Sequence, residues 1–313
     1  MTNSDTGHDP SRQLVSVAEL QATHRSKHSP ERPAFVDLQS HSTASDGVLA
    51  PARVVETASA LNLAAIALTD HDTLSGVDEA VAVGERLGVR VVPGIELGTH
   101  FEGNELHMLG LHIRNRDAIR DALRDFRSQR VARAEQIVDA LNENGIPITL
   151  DAVLQEAGEG AVGRPHVARA LIAGGWVSEF REAFDKWIGA GRPAYRPREH
   201  FDIVDAISLI HSSGGLAIWA HPAELATEAR LRRLRELGLD GVEVLHPSHP
   251  GYLAQRIFDH ARKLDLLPSG GSDWHGTGDG QSANPRYLGG QSVPALWLEM
   301  QDERLASGSG PGA

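Results

Sequence analysis

The 313-residue chain contains no cysteine, which excludes disulfides and thiolate metal sites. It carries no excess of positive charge: 42 Asp and Glu against 30 Lys and Arg leave a formal net charge of −12. A protein that grips long nucleic acid through its phosphates is normally basic. Long duplex DNA is therefore not an expected partner, and an anionic substrate has to be drawn in by a local field. No apolar run approaches the roughly 20 residues that span a bilayer. The polar stretch Met1 to Arg32 has no apolar signal-peptide core, so the expectation is a cytoplasmic protein without a membrane partner. What remains, 41% hydrophobic and 23% charged, suits one large soluble domain or a domain with an insert.

Short apolar runs alternate with helical patterns along most of the chain. Ala34–Leu38, Leu63–Leu68, Val89–Val92, Leu106–Leu111, Leu216–Ala220, Val242–Leu245 and Leu266–Pro268 read as strands. Helices are expected over Pro51–Leu61, from a Ser75 cap to Leu87, and near 203–213, 228–237 and 251–264. Buried strands alternating with helices predict parallel β/α units. Residues 34–114 and 200–290 then form one barrel, interrupted by a helical insertion at 115–199. Residues 1–33 are expected to be a disordered segment and 291–313 a C-terminal tail outside the barrel, flexible from Ser307 onward (SGSGPGA). The insert holds seven arginines between Arg114 and Arg133. They read either as a solvated helix face paired with Asp117, Asp121, Asp125 and Glu135 or as a basic lip for an anionic substrate.

The abundance that matters is histidine, with 16 in the chain. Imidazole is the commonest metal ligand and the usual proton carrier near neutral pH. The candidates cluster at strand ends. Gln39-Ser40-His41 and Asp46 follow the first strand, Asp70-His71-Asp72 the second, and Glu96 the third. The fourth carries His107, the fifth ends at His221, the sixth leads to Glu243, His246 and His249, and the last ends in Asp273-Trp274-His275. Strand C-termini are where β/α barrels hold their active sites. Side chains two apart on extended backbone point the same way, so Gln39 with His41, and Asp273 with His275, can face one metal. Imidazole and carboxylate together suit Mn, Fe or Zn.

The segments DLQSHSTASDG, TDHDTLSG, PGIE, LHMLGL, AHP and GSDWH resemble the signatures of the PHP (polymerase and histidinol phosphatase) family of metal-dependent phosphoesterases. GRPHVARAL (163–171) and FDKWIGAGRPAYRP (184–197) resemble its stand-alone branch, which acts on nucleoside 3′,5′-bisphosphates and as 5′-to-3′ exoribonucleases on short RNA. The resemblance implies a distorted (β/α)7-type barrel, two to three divalent ions and ester hydrolysis by metal-activated hydroxide. It implies a first metal at Gln39, His41, Glu96 and Asp273. A second would sit at Glu96, His107 and His221, and a third at Asp46, His71 and His275. Gln39 stands where the family has His.

Asp70 and Asp72 are expected to orient ligands, and His246 or His249 to contact phosphate or protonate the leaving alkoxide. Arg164 and Lys186 are candidates for a second phosphate, the alternative for Arg164 being a loop brace. Two other readings remain open: a phosphatase for a small metabolite such as histidinol phosphate, and a non-catalytic metal-binding protein weakened at Gln39. The insert motif favours a nucleotide or short-RNA substrate over the first. Eight retained ligand positions favour an enzyme over the second.

Overall fold

A computed structural model describes residues 16–19, 21, 35–158, 161–197, 201–276 and 287–308, without the side chains of 125–127. Nine strands form one sheet: β1 (Phe35–Ser40), β2 (Ala65–Leu68), β3 (Arg90–Phe101), β4 (Asn104–Leu111), β5 (Phe201–Asp202), β6 (Leu216–Ala220), β7 (Gly241–Leu245), β8 (Leu267–Gly270) and β9 (Val293–Pro294). The order is β8-β7-β6-β4-β3-β2-β1-β9, with β5 on β3. The segment after β8 returns to β1: Asp273 N donates to the Gln39 carbonyl at 3.0 Å and His41 N to the Trp274 carbonyl at 2.8 Å. The sheet is thereby a nearly closed barrel. Gly271 permits this approach, because a Cβ there would lie 2.5 Å from Gln39 N.

Most strands form where apolar runs predict them, and β2, β6 and β7 are buried throughout. The direction of β4 departs from the expected parallel pattern. β3 continues to Phe101 and turns back, so β4 pairs antiparallel with both β3 and β6. The turn residues Glu102 and Gly103 both have positive φ, 49° and 77°, which is the type I′ geometry that closes a two-residue hairpin.

Helices α1 (Pro51–Ala60), α2 (Val77–Leu87), α7 (Ile203–Ser212), α8 (Glu228–Glu236) and α9 (Gly251–Lys263) cover the barrel. Proline begins α1, and the side chains of Asp202 and Thr227 cap α7 and α8. Ser75 does not cap α2: Gly76 holds that position with no side-chain bond. Between β4 and β5 lie α3 (Arg116–Glu143), α4 (Leu150–Ala157), α5 (Arg164–Ala173), α6 (Phe180–Ala183) and a π-helical turn, Phe184–Ile188. Ile119 and Leu123 at the start of α3 pack into the barrel core. From Ala134 onward the same helix joins a separate apolar cluster with α4, α5 and the π turn.

Both chain ends depart from expectation. In the N-terminal stretch Val17 is buried, and its N–H donates to the Gln255 side chain at 2.9 Å. The expected tail contains β9 and α10 (Ala295–Ser307). β9 pairs antiparallel with β1, and Trp297 of α10 is 1% exposed and stacks on Phe258 with 5.9 Å between centroids. Sequence period undervalued this helix because only Trp297, Leu298 and Gln301 of its 13 residues are buried, one of them polar, which leaves a face too narrow for the period to show. Truncating a buried Trp costs about 3–5 kcal/mol. Trp297→Ala should therefore lower the urea-unfolding free energy by about that much, and a loss below about 1 kcal/mol would show that α10 is not part of the core.

Candidate metal and substrate site

The strand ends meet at one mouth of the barrel. Extension of β2 past Leu68 sets His71 beside Glu96 in a parallel bridge. Gly98 pairs with His107 across the β3–β4 hairpin, so Glu96, two residues along β3, faces His107 diagonally. His107 also pairs with Ala220, which brings His221 alongside. The backbone is strained here: Asp72, His221 and Asp273 have φ of 50°, 31° and 50°. Such conformations persist at functional sites because the surrounding structure over-determines them.

Glu96 is the centre of the cluster and is 1% exposed. Its Oε1 faces His107 Nδ1 and lies 3.1 Å from His221 Nε2. Its Oε2 is 3.1 Å from His41 Nε2 and accepts the Gln39 amide at 2.9 Å. His41 Nε2 is also 3.1 Å from Asp273 Oδ1. On the other side Asp46 lies 3.3 Å from His275 and 3.8 Å from His71, and the His41 and His275 rings stack at 4.2 Å.

Three groups of ligand atoms each fall within 4.8 Å of one another: His41, Asp46, His71 and His275; His71, Glu96 and His107; and His41, Glu96 and Asp273. They share members with all three sets that the motifs imply. The fit to divalent ions rests on unmet valences. His41 Nδ1, His71 Nδ1 and Gln39 Oε1 are buried without a hydrogen-bond partner, and His41 Nε2 faces only the two carboxylates. Buried polar atoms are normally satisfied, and nitrogen and oxygen donors converging at these distances suit a cation.

The electrostatics favour the ligand forms of the carboxylates and of His71, whereas burial of His41 and His275 is overcome by their carboxylate neighbours, Asp273 and Glu96 for the one and Asp46 for the other, which raise both imidazoles. Burial pushes the Asp46 carboxyl up, but the imidazoles of His275, His71 and His41 hold it well below the usual carboxylate range. Burial acts likewise on Glu96 and Asp273 and is likewise overcome by their imidazole neighbours. His71 is driven down to about 4, chiefly by burial, and so is held neutral.

The supporting residues divide by what they touch. Asp70 accepts from Ser42 N and Oγ, both at 2.7 Å, and from Ser45 Oγ at 2.6 Å; it shapes the loop that carries Asp46. Gly47 lets that loop fold back, since a Cβ there would meet the His41 carbonyl at 2.7 Å. Asp72 pairs with Arg130 of α3 through Nε at 2.7 Å. His246 is 3.6 Å from Asp273 and bonds Ser248 Oγ at 2.7 Å. His249 uses both ring nitrogens on main chain, Val244 O at 3.0 Å and Ala223 N at 3.1 Å. That leaves its ring no nitrogen to offer phosphate or a leaving alkoxide.

A pocket opens on the cluster, lined by Asp46, His71 and His107 on the barrel side and by Arg130, Arg133, Arg164 and Phe184 on the insert side. The arginine run thus divides along α3. Arg116, Arg120 and Arg124 pair with Asp78, Asp117 and Asp121 on the surface, while Arg130 and Arg133 turn to the pocket. Arg164 lies over the rings of Phe184 and Tyr195, at 5.7 and 5.8 Å from their centroids. Lys186 is absent from the pocket lining, is exposed and donates to Glu182 at 2.6 Å. It does not join Arg164: the helical turn carries it outward.

Two contributors have no place in the metal sets that the motifs imply: Glu243, a strand-end candidate without an assigned role, and His166. Glu243 is fully buried, accepts the His221 N–H at 2.7 Å and so braces that strained residue. His166, inside GRPHVARAL, accepts Gly163 N–H at Nδ1 and bonds the Ser45 carbonyl through Nε2 at 3.0 Å. It ties the insert to the loop of Asp46. Its place in a motif is the signal that was available; its partner, 121 residues away, was not.

The protein-family comparison matches the PHP domain over residues 37–190. A Haemophilus influenzae protein named 5′-3′ exoribonuclease is 37% identical over 245 residues, covering 76% of this chain and 89% of that one. A Chromobacterium violaceum 3′,5′-nucleoside bisphosphate phosphatase is 32% identical, with 79% and 89% covered. Among solved structures, a metal-dependent phosphoesterase from Bifidobacterium adolescentis superposes with a TM-score of 0.79 at 30% identity, covering 88% of this chain and 98% of that one.

Two expectations follow. Gln39 offers a carboxamide where imidazole would be the better transition-metal donor, so Gln39→His should lower the Mn²⁺ concentration that fills the site, measured by calorimetric titration after chelation. An unchanged or weaker requirement would show that the pocket has adapted to Gln39. Burial holds His166 neutral, down to about 4, against about 6.5 when unfolded. Its contribution is complete above pH 6.5 and is lost as pH falls toward 4. Stability of His166→Gln should therefore vary less with pH than the parent across that window; parallel curves would remove His166 from the acid response.

Proposed function

The chain belongs to the PHP domain family of metal-dependent phosphoesterases, and from that membership we propose that it hydrolyses phosphate esters of nucleotides, as nucleoside 3′,5′-bisphosphates or short 5′-phosphorylated RNA. One observation carries the reading: a single pocket places the carboxylate–imidazole cluster opposite three arginines. A substrate with two phosphates has a station on each side.

Gln39, His41, Glu96 and Asp273 would hold one divalent ion, Glu96, His107 and His221 a second, and Asp46, His71 and His275 a third. Mn, Fe or Zn bound there would polarise the phosphoryl oxygens and lower the pKa of water from 15.7 to about 7. Even two such ions outweigh the charge of Asp46, Glu96 and Asp273, so the pocket attracts phosphate within an acidic protein. Asp72 and the Val162 carbonyl aim Arg130. Arg164 has no carboxylate partner among the described residues, and its forked donors suit the phosphate that is not cleaved. His246, buried beside Asp273, would protonate the leaving alkoxide. The substrate is a small phosphorylated molecule or short RNA, and no helix among the described residues is long and apolar enough to cross a membrane.

Protein loaded with Mn²⁺ should carry two to three ions per chain. His71→Ala, Glu96→Ala and Asp273→Ala should each abolish turnover with the fold retained. Less than half an ion per chain would sink the metal assignment. Removing a charge-assisted contact costs about 1.5–3 kcal/mol, so Arg164→Ala should lower kcat/KM for a nucleoside 3′,5′-bisphosphate roughly ten- to a hundred-fold. Faster turnover of histidinol phosphate than of any nucleotide would overturn the substrate class.

A further inference from the structure

Aromatic residues are 5% of the chain, yet three of them gather at the insert side of the pocket. Phe184 lines the pocket itself. The ring of Phe180 lies 5.2 Å from it, centroid to centroid, and the Arg164 guanidinium lies 5.7 Å from it, with Tyr195 beyond. Every other side chain of the lining is charged, polar or small. Phe184 also opens the π-helical turn Phe184–Ile188. Such turns are rare and recur at functional sites, because the extra residue re-aims a side chain. A core role alone does not need this placement: the buried cluster of the insert is built by aliphatic residues such as Val167, Leu171 and Ile188, and Phe184 packs only at its edge.

We propose that Phe184, fixed by Phe180 and Arg164, is the stacking platform for the base of the nucleotide substrate. The inference rests on the nucleotide reading above and adds a base station to its two phosphate stations. A flat ring offers the same π surface to every base, so the platform confers base dependence without sequence preference. The guanidinium of Arg164 lies over part of the Phe184 ring, so the base would stack on the part that lines the pocket, and the N–H groups of Arg164 would reach phosphate.

The test compares a nucleoside 3′,5′-bisphosphate with ribose 3,5-bisphosphate, which lacks the base, on Mn²⁺-loaded full-length protein. Stacking is worth about 1–3 kcal/mol per base by alanine substitution. Phe184→Ala should therefore reduce the ratio of kcat/KM for nucleotide over base-free substrate by roughly 5- to 150-fold, mainly through KM. Phe184→Trp should restore the ratio, and adenine and uracil substrates should respond alike. An equal loss on both substrates would make Phe184 a purely structural residue. A parent enzyme with no preference for the base-bearing substrate would overturn the platform while leaving phosphoesterase function intact. A parent that cleaves neither substrate would overturn the nucleotide reading itself.

Discussion

The site depends on keeping one carboxylate charged inside the barrel. Glu96 sits in the middle of β3, buried, where an isolated charge is prohibitively costly. It is tolerated because each oxygen faces its own set of partners: His107 and His221 on one side, His41 and Gln39 on the other. That division lets one carboxylate join two ligand groups. It also dictates the surroundings, since three separate chain segments have to converge on a single residue. The strained backbone at His221 and Asp273 is a local cost of that convergence, offset by the brace from Glu243 and by the main-chain bonds that join the segment after β8 to β1.

The helical insert completes the pocket rather than decorating it. α3 starts in the barrel core and ends in a core of its own, so it works as a beam between the two. Arg130, in its middle, reaches Asp72 beside His71, and His166 reaches the carbonyl next to Asp46. Both links end one residue from a candidate ligand. The insert therefore positions the ligand loops and supplies the cationic wall in the same act, and the net negative charge of the chain is no obstacle to binding an anion at this one place.

Local chemistry made much of this legible in the sequence. Apolar runs marked β1, β2, β6, β7 and β8, because buried strands have to be apolar on both faces. Ligand-type residues just beyond those runs marked the mouth of the barrel. Gln39, His41, Asp46, His71, Glu96, His107, His221, Asp273 and His275 do come together there. Period did not reveal the antiparallel course of β4, since a strand has the same two-residue period in either direction; the Glu102-Gly103 turn settled it. Nor did it reveal α10, whose buried face is narrow.

The sequence by itself determined most of the barrel's strands and helices and which donor atoms are carried to the strand ends, because both follow from the period and chemistry of neighbouring residues. Only the tertiary structure decided the partners. Glu96 splitting its oxygens between two ligand groups, Arg130 turning from the helix surface to Asp72, His249 closing on main chain while His246 faces Asp273, and Lys186 pointing away from Arg164 all depend on how the sheet closes and how the insert lies across it. Those arrangements join residues far apart in the chain, and no local pattern encodes the distance between them.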